Sequence, residues 1–290
     1  MNWHQTIIYI RNSPLFKELV EQAYLDENLK LNVERFGSSD EFQKTLAIIR
    51  TNHPGAKNIL EVGAGNGFAA INFALQGYYV TVIEPDPSST VGSGAIRQLV
   101  KEFDITDKVR VYETFGEDLK FKNETFDLVY MRQAMHHAHN LNKFILEAAR
   151  VLKTGGYLFT ARDHVIFNEH DMNWFLESHP LHKFYGGENA FKACEYRSAM
   201  VKAGLEIVNE FKYYDSVINY SPLSEQDKED ILELKRDELK NSLEEKFSFL
   251  SKIPFVFKLY ELKNGVVKMQ DYLNEREVPG RMYSYLARKI

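Results

Sequence analysis

One stretch limits the possible folds more than any other: Asn58-Ile59-Leu60-Glu61-Val62-Gly63-Ala64-Gly65-Asn66-Gly67-Phe68. A short apolar run carrying one acid gives way to glycine at every second position, and a helix-compatible segment, 69–75, follows. The pattern predicts strand, tight turn and helix, with the turn pressed against something that leaves no room for side chains. A dinucleotide-binding turn has the spacing G-x-G-x-x-G, in which the third glycine lets helix and strand pack closely. Here Phe68 stands in that third place. The next strand, 79–83, ends in Glu84, one helix and one return strand beyond Gly67. An acid there accepts both ribose hydroxyls of a nucleoside, so it favours an adenosine-bearing ligand without choosing among such ligands.

Strand patterns at 58–62, 79–83, 108–112, 126–130 and 156–162 alternate with helical patterns near 67–76, 92–103 and 140–152. That alternation predicts an α/β fold: a doubly wound, Rossmann-like, mostly parallel sheet. Two more strands, 205–213 and the alternating run Met282-Tyr283-Ser284-Tyr285-Leu286-Ala287-Arg288, bring the expected sheet to seven. Ahead of it, Ser13-Pro14 predicts a helix start with Leu15, Phe16, Leu19, Val20 and Ala23 on one face. Ser38-x-x-Glu41 resembles a capping box for a helix carrying Phe42, Leu46 and Ile49, stopping before His53-Pro54-Gly55. Ser224-x-x-Asp227 opens a long charged helix with apolar positions Ile231, Leu234, Leu239, Leu243, Phe247 and Leu250. The expected organisation is a helical cap, 1–54, a core made of 55–213 and 281–290 with a covering insertion at 163–190, and a helical insertion at 214–280.

Composition narrows the partners. A formal net charge of −5 over 290 residues argues against a nucleic-acid footprint. No apolar run reaches the roughly 18–20 residues of a membrane span, so no membrane partner is expected. The first residues lack a basic segment followed by an apolar core, and the single Cys194 has no internal disulfide partner. Both features fit a reducing cytoplasm.

Further landmarks follow in order: Thr114-Phe115-Gly116-Glu117-Asp118-Leu119, then Phe126-Asp127-Leu128-Val129-Tyr130, then Lys153-Thr154-Gly155-Gly156-Tyr157. With Glu61–Gly67 and Glu84, they make residues 55–165 resemble the class I S-adenosylmethionine-dependent methyltransferases. The resemblance implies S-adenosylmethionine as cofactor and S-adenosylhomocysteine as product. It sets Glu61, Gly63, Ala64, Gly65 and Gly67 against the amino-acid and sugar parts of the cofactor, and Glu84 with Pro85 at the ribose. Phe115 and Gly116 would cover the adenine, although the family often has an acid where Phe115 stands. Arg132 would meet the cofactor's carboxylate.

The segments after the fourth and fifth strands carry His136, His137, Asp163 and His164. Strand carboxyl ends of such a sheet open on the binding crevice. Methyl transfer to a hydroxyl needs the acceptor positioned and its proton removed, a task suited to histidine supported by a carboxylate. A zinc site from His136, His137, His139 and Asp163 is the rival chemistry. Adjacent histidines rarely face one ion, and no cysteine or H-x-x-x-H pair adds to them, so no metal is expected. His182, Tyr185, Glu188 and Asn189 lie in the overhanging segment and are candidates for binding the acceptor. That segment resembles bacterial methyltransferases of small polar acceptors, sugars among them. The resulting expectation is methyl transfer to a hydroxyl of a sugar or sugar derivative. An NAD-dependent oxidoreductase, disfavoured by Phe68, and a non-catalytic nucleoside-binding module are the rivals. Oligomeric state stays open.

Overall fold

The computed structural model describes residues 1–246, 269–276 and 280–290. The glycine-rich turn joins β1 (Asn58–Val62) to α5 (Phe68–Leu75), and β2 (Tyr79–Ile83) returns beside β1 in parallel register. Helix α6 (Ser93–Glu102) leads to β3 (Val109–Tyr112), which pairs with β2; β4 (Phe126–Arg132) pairs with the other side of β1. After α7 (Leu141–Val151) comes β5 (Leu152–Ile166), parallel to β4. The main sheet has the order β3-β2-β1-β4-β5-β8-β7. Both β7 (Leu205–Phe211) and β8 (Met282–Lys289) are part of it, and β8 runs antiparallel to its two neighbours. This is the expected seven-stranded, mostly parallel sheet, with one addition: the two-residue β6 (Phe191–Lys192) pairs with the far end of β5.

Central strands are apolar on both faces because helices cover both. β1 and β4 contribute Ile59, Leu128 and Tyr130 to one packed layer, and Leu60, Val62, Val129 and Met131 to the other. Period-two alternation is therefore absent from these strands, as expected for a sheet buried on both sides.

β5 is longer than the expected 156–162 at both ends, for two local reasons. Near its start the β4–β5 register slips between Phe126 and Leu128, so Lys153-Thr154-Gly155-Gly156 is taken up as an irregularity in the ladder. Near its end the β5–β8 register slips between Thr160 and Asp163. Arg162 takes the extra position with φ of 61°. Such a bulge bends a strand and re-aims the residues after it. Here those residues are Asp163 and His164.

The N-terminal segment folds as α1 (Trp3–Arg11), α2 (Lys17–Gln22), α3 (Leu29–Ser38) and α4 (Asp40–Asn52). Two readings of this part need correction. Pro14 opens a single 3-10 turn, Pro14–Phe16, rather than a continuous helix, and Leu15 is 88% exposed instead of joining an apolar face. Ser39, not Ser38, caps α4 by accepting from the Phe42 amide, because α3 runs through Ser38 and spends that hydroxyl on its own carbonyls. Glu41 is consequently free of any capping role and is buried.

Beyond β5, α8 (Glu169–Ser178) and α9 (His182–Tyr185) precede β6, and α10 (Ala193–Lys202) precedes β7. Ser224 and Asp227 cap the helix Glu225–Lys246 reciprocally, as the pattern predicts. Phe247 and Leu250 of that pattern lie outside the described residues, as does most of 247–279. Among the described residues, no helix is long and apolar enough to cross a membrane.

Candidate active site

A cavity of about 820 Å³ opens at the carboxyl ends of β1, β2, β4 and β5. At one end lies the glycine turn. Gly63, Ala64 and Gly65 line the wall there, with Glu61 at the end of β1 and Glu84 and Pro85 after β2. Gly65 has φ of +55°, and a methyl group on it would meet nothing nearer than the Val91 carbonyl oxygen at 3.9 Å. The space beyond the turn is thus open, sized for something outside the protein. Gly67 is glycine for another reason: a side chain there would press on Ile96 at 2.7 Å, and the residue is not on the wall. It lets α5 approach α6.

The two acids at this end differ in their bonding. Glu84 accepts from the Gly65 amide at 2.7 Å and from the Asp86 amide at 2.9 Å, which ties the turn to the end of β2. Glu61 Oε2 is buried without a hydrogen-bond partner. Burial pushes both carboxyls up, Glu84 to about 7 and Glu61 to about 8. Phe115 and Gly116 lie on the wall, and Phe115 is half exposed, edge-on to His139.

Arg132 also reaches the wall, but its guanidinium is engaged inside the protein. Nε donates to Glu41 Oε1 at 2.6 Å, Nη2 to Glu41 Oε2 at 3.1 Å, and Nη1 to Gln133. The rings of Tyr24, Phe36 and Phe68 lie within 5.3–5.6 Å of it. Burial opposes the charge, yet Glu41 outweighs it and holds Arg132 more firmly protonated than usual. Arg162 approaches the same carboxylate at 3.5 Å. The pair pins α4 to the end of β4.

At the other end a polar cluster gathers from three separate segments. The 3-10 turn after β4, Met135–His137, supplies His136 and His137, the bulged end of β5 supplies His164, and the loop after α9 supplies Glu188. Asp163, fully buried behind the wall, accepts from the His136 amide and faces His136 Nδ1, both at 3.1 Å. That contact directs His136 Nε2 outward, 3.8 Å from Glu188 Oε2. His137 Nδ1 meets the Gly187 carbonyl at 3.2 Å, and its Nε2 lies 4.0 Å from the same carboxylate oxygen. Burial lowers His136 well below the usual imidazole range and His164 to about 3, with neighbouring histidines adding to both shifts. Burial also raises Asp163 to about 8, against main-chain donors.

Of the four acceptor-binding candidates, Tyr185 and Glu188 line the cavity, and the tyrosine hydroxyl donates to Glu188 Oε1. His182 and Asn189 are not brought to the wall. The chain turns at Pro180, so His179 at the end of α8 faces inward, 3.6 Å from Glu188 Oε1, in place of His182. Sequence reasoning also missed Trp3, Leu19, Ala23 and Leu25 as wall residues. The amphipathic pattern of the N-terminal segment signals that it packs, not that it packs over a cavity. Trp3 packs against Tyr185 at a tilt of 59°, with ring centroids 4.8 Å apart.

Residues 60–160 match the family model described as a methyltransferase domain. The chain is 34% identical over 111 residues to a sarcosine/dimethylglycine N-methyltransferase of Aphanothece halophytica, covering 38% of this chain and 39% of that protein. The match thus spans about two fifths of that relative's length. Among solved structures, a geranyl diphosphate methyltransferase in complex with S-adenosylmethionine aligns with a TM-score of 0.57 at 13% identity, covering 100% of this chain and 96% of the other. The [4+2]-cyclase SpnF aligns with a TM-score of 0.53 at 16% identity, over 85% of this chain and 80% of the other. Residues 60–160 are thus similar to a methyltransferase domain, and they sit in a fold shared with a solved S-adenosylmethionine-bound methyltransferase.

Proposed function

We propose that the protein is an S-adenosylmethionine-dependent methyltransferase acting on a hydroxyl of a small molecule. One observation carries the reading: a single cavity joins the open glycine turn to a histidine–carboxylate cluster. The residues at the turn suit the cofactor, since Gly65 leaves space and Glu61 keeps an unpartnered buried oxygen. In this reading Glu84 holds the ribose, Gly63–Gly65 the amino-acid end, and Phe115 with Gly116 the adenine. Arg132, already held by Glu41, acts on the carboxylate end through Gln133 and the shape of the wall. S-adenosylmethionine, when bound, supplies a methyl group on a sulfonium whose loss leaves S-adenosylhomocysteine.

The protein's own part is to orient the acceptor and take its proton. Of His136, His137 and His164, we assign His137 as proton acceptor, because its Nδ1 is spent on Gly187 and its Nε2 faces the cavity. It is also 40% exposed, whereas burial opposes protonation of the other two. As the proton moves to His137 Nε2, the acceptor oxygen forms its bond to the methyl carbon. Tyr185 and Glu188 hold the acceptor in place. Apolar walls from Leu19, Leu25 and Phe175 suit a hydroxylated molecule with an apolar body, a sugar derivative among them. An amine acceptor is the second reading, favoured by the likeness to the N-methyltransferase and by a carboxylate at the acceptor end.

Calorimetric titration with S-adenosylhomocysteine and with NAD tests the cofactor. Binding of NAD alone would restore the oxidoreductase. Labelled S-adenosylmethionine offered with panels of sugars, phenols and amines tests the transfer. Tight cofactor binding without label transfer to any of them would favour the non-catalytic module.

A further inference from the structure

We propose that His136, His164 and Glu188 form a binding site for one divalent first-row transition metal at the acceptor end of the cavity. Sequence spacing argued against a metal because it offered only the adjacent histidines 136, 137 and 139 with Asp163. The fold assembles a different set, one donor from each of three segments, and their ligating atoms all lie within 4.8 Å of one another. His136 Nε2 and Glu188 Oε2 are 3.8 Å apart. An ion that holds nitrogen and oxygen at about 2.0–2.2 Å spaces its donors about 3–4 Å apart, so the set closes with up to about 1–2 Å of approach shared between its side chains.

Two of the three donors carry an atom that makes no hydrogen bond. His164 Nδ1 and Glu188 Oε2 are buried and lack hydrogen-bond partners, although both side chains line the cavity. A buried carboxylate oxygen and a buried ring nitrogen left unpaired are costly, and a cation relieves both at once.

The surroundings match those of a metal-bound imidazole and carboxylate. Asp163 Oδ1 faces His136 Nδ1 at 3.1 Å, which leaves the Nε2 lone pair directed at the set. Metal-ligating histidines are usually oriented this way by a carboxylate on the other nitrogen. The Tyr185 hydroxyl occupies Glu188 Oε1 and leaves Oε2 to the ion. Two imidazoles and one carboxylate suit zinc, cobalt, iron or manganese rather than magnesium or calcium, which prefer all-oxygen sites. An ion held by His136, His164 and Glu188 would make a nearby acceptor hydroxyl more acidic, and His137, whose Nε2 lies 4.0 Å from Glu188 Oε2, would be placed to take that proton. This last role rests on the methyl-transfer reading, while metal binding itself does not.

The test uses the full chain stripped with a chelator and titrated with cobalt(II), followed by calorimetry and by visible absorption of the bound ion. The expected result is one equivalent bound, with magnesium failing to compete. Glu188→Gln and His164→Ala should each weaken cobalt binding by at least about 100-fold, and Asp163→Asn by about 10–100-fold, as loss of an outer partner does. Retained S-adenosylhomocysteine binding checks that each variant is folded. A wild-type chain that takes up no cobalt, or a Glu188→Gln chain that takes it up like wild type, overturns the proposal. A chain that binds cobalt but not S-adenosylhomocysteine keeps the metal site and overturns the methyl-transfer reading instead.

Discussion

The two ends of the cavity are built on different principles. At the cofactor end the groups on the wall come mostly from one run of sequence, 61–68, plus the residues just after β2, and the glycine turn is fastened by main-chain amides on Glu84. At the acceptor end the wall is made of side chains from the turn after β4, a bulged strand end, two short helices and the first 25 residues. A backbone-built surface accepts little variation, because altering it means altering the turn. A side-chain-built surface can change one residue at a time. If the protein transfers methyl groups as proposed, donor binding and acceptor choice are separable, and substitutions at the two ends break or measure that separation.

The largest effect belongs to the acceptor end. His137→Ala should lower turnover by about 10²–10⁴-fold with S-adenosylhomocysteine affinity changed less than about twofold, which is the range for loss of a general base. Comparable losses in both quantities would show that the ends are coupled. Gly65→Val should weaken S-adenosylhomocysteine binding by at least about 100-fold, since valine must adopt a positive φ and fill the open space. Unchanged calorimetric affinity in a folded variant removes the turn from the cofactor site. Glu84→Ala should cost about 10–100-fold in cofactor affinity, at about 1.5–3 kcal/mol for a charge-assisted contact. The loss has two sources, the ribose contact and the slackened Gly65 amide.

The smallest effect is a dependence on pH. Burial raises Glu61 to about 8, so the folded protein keeps a proton there at pH values where the unfolded chain has released it. Stability from this group is complete below about pH 4.5 and is lost as pH rises through about 8. Glu61→Gln removes that loss. Its stability relative to wild type should therefore increase between pH 5 and pH 8.5, by on the order of 1–3 kcal/mol in chemical denaturation. A constant difference across that range would mean that Glu61 is ionised in the fold.

The comparison also explains which parts of the molecule sequence reasoning reached. β1 and β2 occur at the expected residues because a strand, a glycine turn and a helix are local signals. The place of Glu41 was not legible. Its spacing from Ser38 fits a cap, and only the end of α3 decides that Ser39 takes that role. Its partner Arg132 is 91 positions away and belongs to another element. The histidines were found by their place after strands, but their grouping depends on the slip in β5. Simple alternation puts Thr160 and Asp163 on opposite faces, three positions apart. The extra residue restores them to one face, opposite Tyr285 and Tyr283. His179 and His182 present the same chemistry in one segment, and only the turn at Pro180 selects between them.

The same slip bears on how such proteins diverge. One additional residue at Arg162 is absorbed because the ladder to β8 resumes on both sides, and the side chain is anchored by the Ile218 carbonyl. The extra residue lies on the strand end that aims Asp163 and His164. It leaves the turn between β1 and α5 untouched. Under the methyl-transfer reading, a change of one residue's length at this point would re-aim the groups facing the acceptor while leaving the donor's turn as it is.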